Sequence, residues 1–264
     1  MGECDPPGAR VIRGVPLSHR RRRTDAARGS RPALSGVHAH AAPAHSLHLL
    51  VELRCKACLF DLDGVLVDSR DVVERTWRRW GQLHQLDVQP LLRIAHGRRA
   101  RDTLRAIVPH LATDAEVAWL DAAELEDVDG LRAVPRARDF LASLPPERWG
   151  IVTSCSRPLA QLRLTAVGFA VPAMIVVSED VRRGKPAPDG YRLGAKRLGY
   201  DPTDCIVFED APPGVEAARA AGARVVALHT THLAAELGDC EIAISDFSNL
   251  RVRSASDALV LTLA

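Results

Sequence analysis

The stretch "CLFDLDGVLVDS", Cys58 to Ser69, sets two aspartates two residues apart directly after an apolar run. A run as short as Ala57–Phe60 has the length of a buried strand. Carboxylates at the end of such a strand are costly to bury unless something pairs with them. The stretch therefore reads as a buried strand and leaves Asp61 and Asp63 at its carboxyl end in need of a partner.

Comparable runs recur at Gly150–Thr153, Met174–Val177, Cys205–Phe208, Val225–Leu228 and Ile242–Ile244. Segments of helical period lie between most of them, such as Leu159–Val167 and the Ala-rich Gly214–Ala221, which stops at Gly222 as a helix C-cap. Strands alternating with helices predict an α/β fold built on a doubly wound parallel sheet. Residues 70–145 break the rhythm: Val73, Trp77 and Trp80, then Leu104, Ile107, Val108 and Leu111, keep helical spacing, and no strand signal intervenes. They read as a helical insert between the first two strands, with the Trp and Leu stripes as its core.

At 264 residues and 47% hydrophobic content the chain is long enough to bury a sizeable core. No apolar run approaches the roughly 18 residues of a membrane span, so a soluble protein is expected. The net charge of +2 conceals an asymmetry. Residues 1–50 hold eight arginines, no lysine and three acids, so the remainder carries a net −3. That excludes a broad basic face for nucleic acid on the folded body. Residues 1–53 read as a disordered extension, or as sequence upstream of a true start near Val51. Sharper readings of Arg20 to Arg23 and of His38, His40, His45 and His48 are a nucleic-acid arm, a metal-binding cluster or a targeting peptide. Six scattered cysteines are no disulfide framework. Cys55-Lys56-Ala57-Cys58 leads into a strand and lacks a second ligand pair, so plain buried thiols are expected.

In an open parallel sheet, ligands bind beyond the carboxyl ends of the strands. Asp61 and Asp63 follow the first strand, Thr153 and Ser154 end the second, and Glu209 and Asp210 follow Phe208. Lys185 sits in "RGKPAPDGY", just after the third.

With these four segments in place, the chain resembles the haloacid dehalogenase-like hydrolase superfamily, in its branch with a helical cap inserted after the first motif. "FDLDGVLVDS", "IVTSCS", "GKPAPDGY" and "VFEDAPPGVEAARAAG" match its four motifs in order. The resemblance implies a three-layer α/β core at residues 54–69 and 146–264 and a mobile cap at 70–145. It implies Mg²⁺ as cofactor, with Asp61 and Asp210 as direct ligands, Asp63 through its backbone carbonyl, and Glu209 tuning the metal shell or binding Lys185. Asp61 would be the nucleophile and Asp63 the general acid and base, while Thr153, Ser154 and Lys185 would bind phosphate. Dehalogenases and phosphonate-cleaving members lack an acid at the Asp63 position, so its presence implies a phosphate monoester or a phosphomutase.

"AHGRRARDTL", Ala95 to Leu104, is similar to the cap loop of sugar- and polyol-phosphate phosphatases, with His96 and Arg98 as substrate contacts. A β-phosphoglucomutase-like isomerase shares the core. Its cap histidine position is Val73 here, however, and its cap arginine position is Ala100, with Arg99 and Arg101 as possible substitutes. Cys155 and Arg136 stand where the family often has glycine, the first expected to crowd the phosphate loop and the second to stiffen the cap hinge. His229 and His232 of "ALHTTHLAAEL" read as loop-surface residues. The expected partner is a small phosphorylated metabolite, with no nucleic acid and no membrane, for a cytoplasmic monomer or weak dimer. A non-catalytic scaffold or nucleic-acid-binding protein using the Arg-rich tail is the alternative from another class; it predicts a degraded site.

Overall fold

The structure, a computed structural model, describes residues 51–263. The Arg run, the His-rich stretch and the remainder of residues 1–50 lie outside the described residues. Six strands, β2 (Ala57–Phe60), β5 (Trp149–Val152), β6 (Ile175–Val176), β7 (Cys205–Glu209), β8 (Arg224–Leu228) and β9 (Ile242–Ile244), form a parallel sheet. Their order is β6-β5-β2-β7-β8-β9. The chain moves to one side of β2 through β5 and β6 and then to the other through β7, which makes the carboxyl end of β2 the switch point of the sheet.

The continuous apolar runs arise because both faces of the sheet are covered. Along β2, β7 and β8, alternate residues enter two separate cores: Cys58, Phe60, Ile206, Phe208, Val226 and Leu228 on one face, Ala57, Leu59, Cys205, Val207, Val225 and Ala227 on the other. The second face is covered by α7 (Asp189–Leu198) and α8 (Pro212–Ala221), whose Tyr191, Ala195, Val215 and Ala218 pack against it. α8 ends at Gly222 in the left-handed conformation, as its sequence predicts. The first face is covered by α5 (Ala137–Ala142) and α6 (Arg157–Ala166). There Phe60 stacks on Phe208 at 4.6 Å between ring centroids, with Phe140 and Phe247 around the pair. The result is the expected three-layer α/β core.

The elements require two corrections to the expected boundaries. Residues 51–55 are not part of an extension that runs to 53. They form β1 (Val51–Cys55), paired antiparallel with β11 (Leu259–Leu263), which also pairs with β10 (Leu250–Ser254). Leu53 and Cys55 enter the core from this small sheet, which anchors β1 to the C-terminal end of the described chain. The helical insert does not run to 145: β3 (Val67–Asp68) pairs antiparallel with β4 (Arg132–Ala133), so the chain leaves and returns side by side. After that return α5 sends Ala137, Phe140 and Leu141 into the core beneath the sheet, because helical spacing alone does not say which core a helix serves. A strand signal was not expected in residues 70–145, and β4, at two residues, is too short to give one.

Between β3 and β4 lie α1 (Arg70–His84), α2 (Gln89–Ala95), α3 (Ala100–Ile107) and α4 (Asp114–Glu126). They bury Trp77, Trp80, Leu91, Leu104 and Leu120 in a core of their own, with Val73, Val108 and Leu111 half-buried beside it and Ile107 exposed. Cys55 and Cys58 are buried free thiols. No helix among the described residues is long and apolar enough to cross a membrane.

Candidate active site

The switch point gathers residues from four strand ends. Asp61 leaves β2 with its amide on the Phe208 carbonyl, which locks it beside β7, and its Oδ1 accepts the Leu62 amide at 2.8 Å. A turn closes at once, with the Leu66 and Val67 amides both on the Leu62 carbonyl and Gly64 at φ +75°. A Cβ on Gly64 would fall 2.0 Å from Asp210 Oδ2, so only glycine lets this turn lie against the end of β7.

Lys185 reaches in from the segment after β6. Its Nζ lies 2.9 Å from Asp61 Oδ2 and 2.6 Å from Glu209 Oε1, and all three groups are buried. Tyr191 on α7 donates its hydroxyl to Glu209, whose other oxygen accepts the Asp210 amide. Asp210 Oδ2 accepts the Thr231 hydroxyl, while Oδ1 is buried without a partner. Asp61, Glu209 and Asp210 each bring one oxygen within 4.8 Å of the others.

Charge decides what this cluster lacks. Three carboxylates face one ammonium. Burial pushes the Asp61 carboxyl up to about 7, opposed by Lys185 and reinforced by Glu209 and Asp63. Burial, with Glu209 and Asp61 alongside, pushes Asp210 well above the usual carboxylate range. Burial disfavours the Lys185 charge, but Asp61 and Glu209 outweigh it and hold the ammonium more firmly than usual. An orphaned carboxylate oxygen in a crowded, all-oxygen donor set fits a hard divalent cation of the Mg²⁺ class. The residues present thus match the group that the sequence resemblance implies.

Asp63 behaves differently from its neighbour. Its carboxylate stays out of the three-acid cluster, accepting Ser69 Oγ on Oδ1 and Arg163 Nη1 on Oδ2, each at 2.6 Å, and the Cys155 thiol on Oδ2 at 2.9 Å. Only its backbone carbonyl is left for a metal. Thr153 Oγ1 accepts the Cys155 amide at 3.1 Å, a local bond that shapes the loop after β5. The Ser154 hydroxyl donates to the Gly97 carbonyl of the insert at 2.9 Å rather than standing free. Cys155 occupies buried space between Asp63 and Arg163.

The insert roofs a cavity of about 390 Å³ over these strand ends. Asp61, Asp63 and Ser154 line its floor; Trp77, His96, Arg98, Asp121 and Glu124 line the insert side. Burial, and then the neighbouring His232, lower the His96 pKa. His232 is correspondingly no loop-surface residue. Its ring stands perpendicular to that of His96 at 6.2 Å, and its Nδ1 is 2.9 Å from Thr231 Oγ1. His229 is exposed, as expected. Sequence reasoning did not single out Thr231, Tyr191, Glu124 or Arg163. Tyr191 ends the "GKPAPDGY" motif, which is the sequence signal that marks it.

The haloacid dehalogenase-like hydrolase profile matches residues 55–222, a span that holds Asp61, Asp63, Thr153, Ser154, Lys185, Glu209 and Asp210. The chain belongs to that family. Among curated relatives, hexitol phosphatase A of Escherichia coli (strain K12) is 38% identical over 205 residues, covering 76% of this chain and 95% of its own. Glycerol-1-phosphate phosphohydrolase 2 of Saccharomyces cerevisiae (strain ATCC 204508 / S288c) is 31% identical over 218 residues, covering 76% of this chain and 86% of its own. A crystal structure of a hydrolase from Pseudomonas syringae superposes with a TM-score of 0.65 at 25% identity, covering 72% of this chain and 94% of that one. Against the family's pattern, Arg136 is the notable departure: it holds φ +62°, a left-handed backbone that suits glycine.

Proposed function

We propose that the chain is a Mg²⁺-dependent phosphatase that hydrolyses a small sugar or polyol phosphate monoester through an aspartyl-phosphate on Asp61. One observation carries the reading: a buried, partnerless Asp210 oxygen beside Asp61, Glu209 and a lone lysine, under a cavity that Asp61 and Asp63 both line. Such a centre accepts a phosphate dianion only when a divalent cation offsets the carboxylates.

Asp61, Glu209 and Asp210 would hold the ion with the Asp63 carbonyl, and when bound it supplies positive charge to the oxygens of the transferring phosphoryl group. An Asp61 oxygen attacks phosphorus, the bond from phosphorus to the ester oxygen breaks, and the departing oxygen takes a proton from Asp63. Water then attacks phosphorus and gives its proton to Asp63, and the bond to Asp61 breaks, restoring the carboxylate and freeing inorganic phosphate. Lys185 orients Asp61 and shares the negative charge. The Ser154 hydroxyl exchanges the Gly97 carbonyl for a phosphate oxygen, and Thr153 holds the loop that presents it.

Carboxylates and cationic groups facing each other across the cavity suit the hydroxyls of a neutral polyol, and the names of the two curated relatives favour the same class. The mutase alternative finds less support. Val73 and Ala100 both line the cavity without an imidazole or guanidinium. Of the possible substitutes, Arg99 is engaged by Asp102 and the Val181 carbonyl, and Arg101 by Asp114.

The test is phosphate release from a panel of hexitol, glycerol and sugar phosphates, with Mg²⁺ and with EDTA. Metal-dependent release that Asp61→Asn abolishes supports the reading. Interconversion of glucose 1- and 6-phosphates without release would make the protein a mutase.

A further inference from the structure

We propose that Arg163 is a positioning residue that holds the Asp63 carboxylate in place and makes its placement depend on the insert, through Glu124. The inference rests on the phosphatase reading above. Arg163 lies on α6, within the core, and is only 3% exposed. Its guanidinium is divided between two carboxylates: Nη1 donates to Asp63 Oδ2 at 2.6 Å, and Nη2 to Glu124 on α4. Nη1 also lies 2.9 Å from Cys155 Sγ.

Packing does not explain an arginine there. Leu159, Ala160 and Leu164 already seat α6 against the sheet, and a buried guanidinium stabilises a fold little better than an apolar side chain of similar volume. A planar fork, by contrast, can serve two carboxylates at fixed geometry, which a lysine cannot. The two acids come from different bodies. Asp63 belongs to the turn after β2, whereas Glu124 belongs to the insert and meets Arg163 only when α4 lies over α6. A second contact closes the same seam: Ser156 Oγ donates to Asp121 Oδ2 at 2.8 Å. With the insert down, Arg163 is held from both sides and the Asp63 carboxylate is fixed at the cavity floor. With it raised, the guanidinium loses one of its two anchors. Proton transfer at the ester oxygen thereby becomes most effective when the cavity is closed, where misplacement of a reacting group is most damaging.

The test compares wild type, Arg163→Leu, Arg163→Lys and Glu124→Gln on two esters with Mg²⁺. One is a hexitol phosphate, whose alkoxide leaving group needs a proton. The other is p-nitrophenyl phosphate, whose leaving group does not. For Arg163→Leu, kcat on the hexitol phosphate is expected to fall about 10²–10³-fold with KM little changed. On p-nitrophenyl phosphate the same variant should release a burst of one nitrophenolate per active site, followed by slow turnover, because the water step still needs Asp63. Arg163→Lys should recover part of the loss and Glu124→Gln should fall between. Thermal melts of all four proteins accompany the assay, and if Arg163→Leu does not fold, Glu124→Gln alone suffices. Equal losses on both esters without a burst would overturn the proposal, as would an unchanged kcat in Glu124→Gln and Arg163→Lys. A wild type inactive on both esters would instead remove the phosphatase reading, and this proposal with it.

Discussion

Burial opposes the ionisation of both Asp61 and Asp210, and both belong to the cluster proposed to hold the metal. In metal-free protein the Asp61 carboxyl keeps its proton up to about 7, whereas in the unfolded chain it releases it near 3.8. The folded state then binds more protons between those values, so metal-free stability falls as pH rises through that window. The rise in melting temperature produced by Mg²⁺ over EDTA is therefore expected to grow steadily from pH 5 to pH 8. Asp61→Asn removes one charge from the crowd: it should raise the melting temperature in EDTA while cutting phosphate release by more than about 10³-fold. Arg136 offers a residue-scale test of another kind. Its left-handed backbone is strained for a side chain, and Arg136→Gly is expected to stabilise the protein by up to about 1 kcal/mol in urea denaturation.

Among the elements, α8 shows how closely helix and site are built together. A Cβ on Gly214 would fall 1.9 Å from Glu209 Oε1, and Glu209 is held by Lys185, Tyr191 and the Asp210 amide with no room to withdraw. Gly214→Ala should cost about 1–3 kcal/mol of stability and lower turnover with it, read by denaturation and phosphate release side by side. The elements legible in the sequence are those whose burial is one-sided or complete. Strands β2 and β9 fall where their apolar runs place them, and α8 stops at its glycine. What was not legible follows from the same physics. In β10, Leu250 and Val252 alternate with Arg251 and Arg253, the period of a half-buried strand, but over a run too short to stand apart from the polar segments on either side. The β3–β4 pair, two residues on each side, has no pattern to display.

For the molecule as a whole, β1 sets where the described fold begins. Removing residues 1–50 is expected to leave turnover unchanged, whereas removal through residue 56 strips β11 of a partner and should yield unstable or insoluble protein, which solubility and melting would reveal. Loss of function on the first truncation would favour the Arg-rich tail over the cavity. The site was readable where its groups are neighbours in sequence or sit at strand ends, as with Asp61, Asp63, Glu209, Asp210 and Lys185. It was not readable where contact joins distant segments: Arg163 meets Asp63 across 100 positions, and in a chain with 32 arginines nothing in the sequence marks Arg163 as buried. The Ser154–Gly97 hydrogen bond spans core and insert in the same way and carries a consequence for occupancy. The hydroxyl has one proton to give, and the insert holds it. An anion docking on the Ser154 hydroxyl would have to take that proton from Gly97, so binding there and this contact with the insert would oppose each other, by equal amounts in either direction.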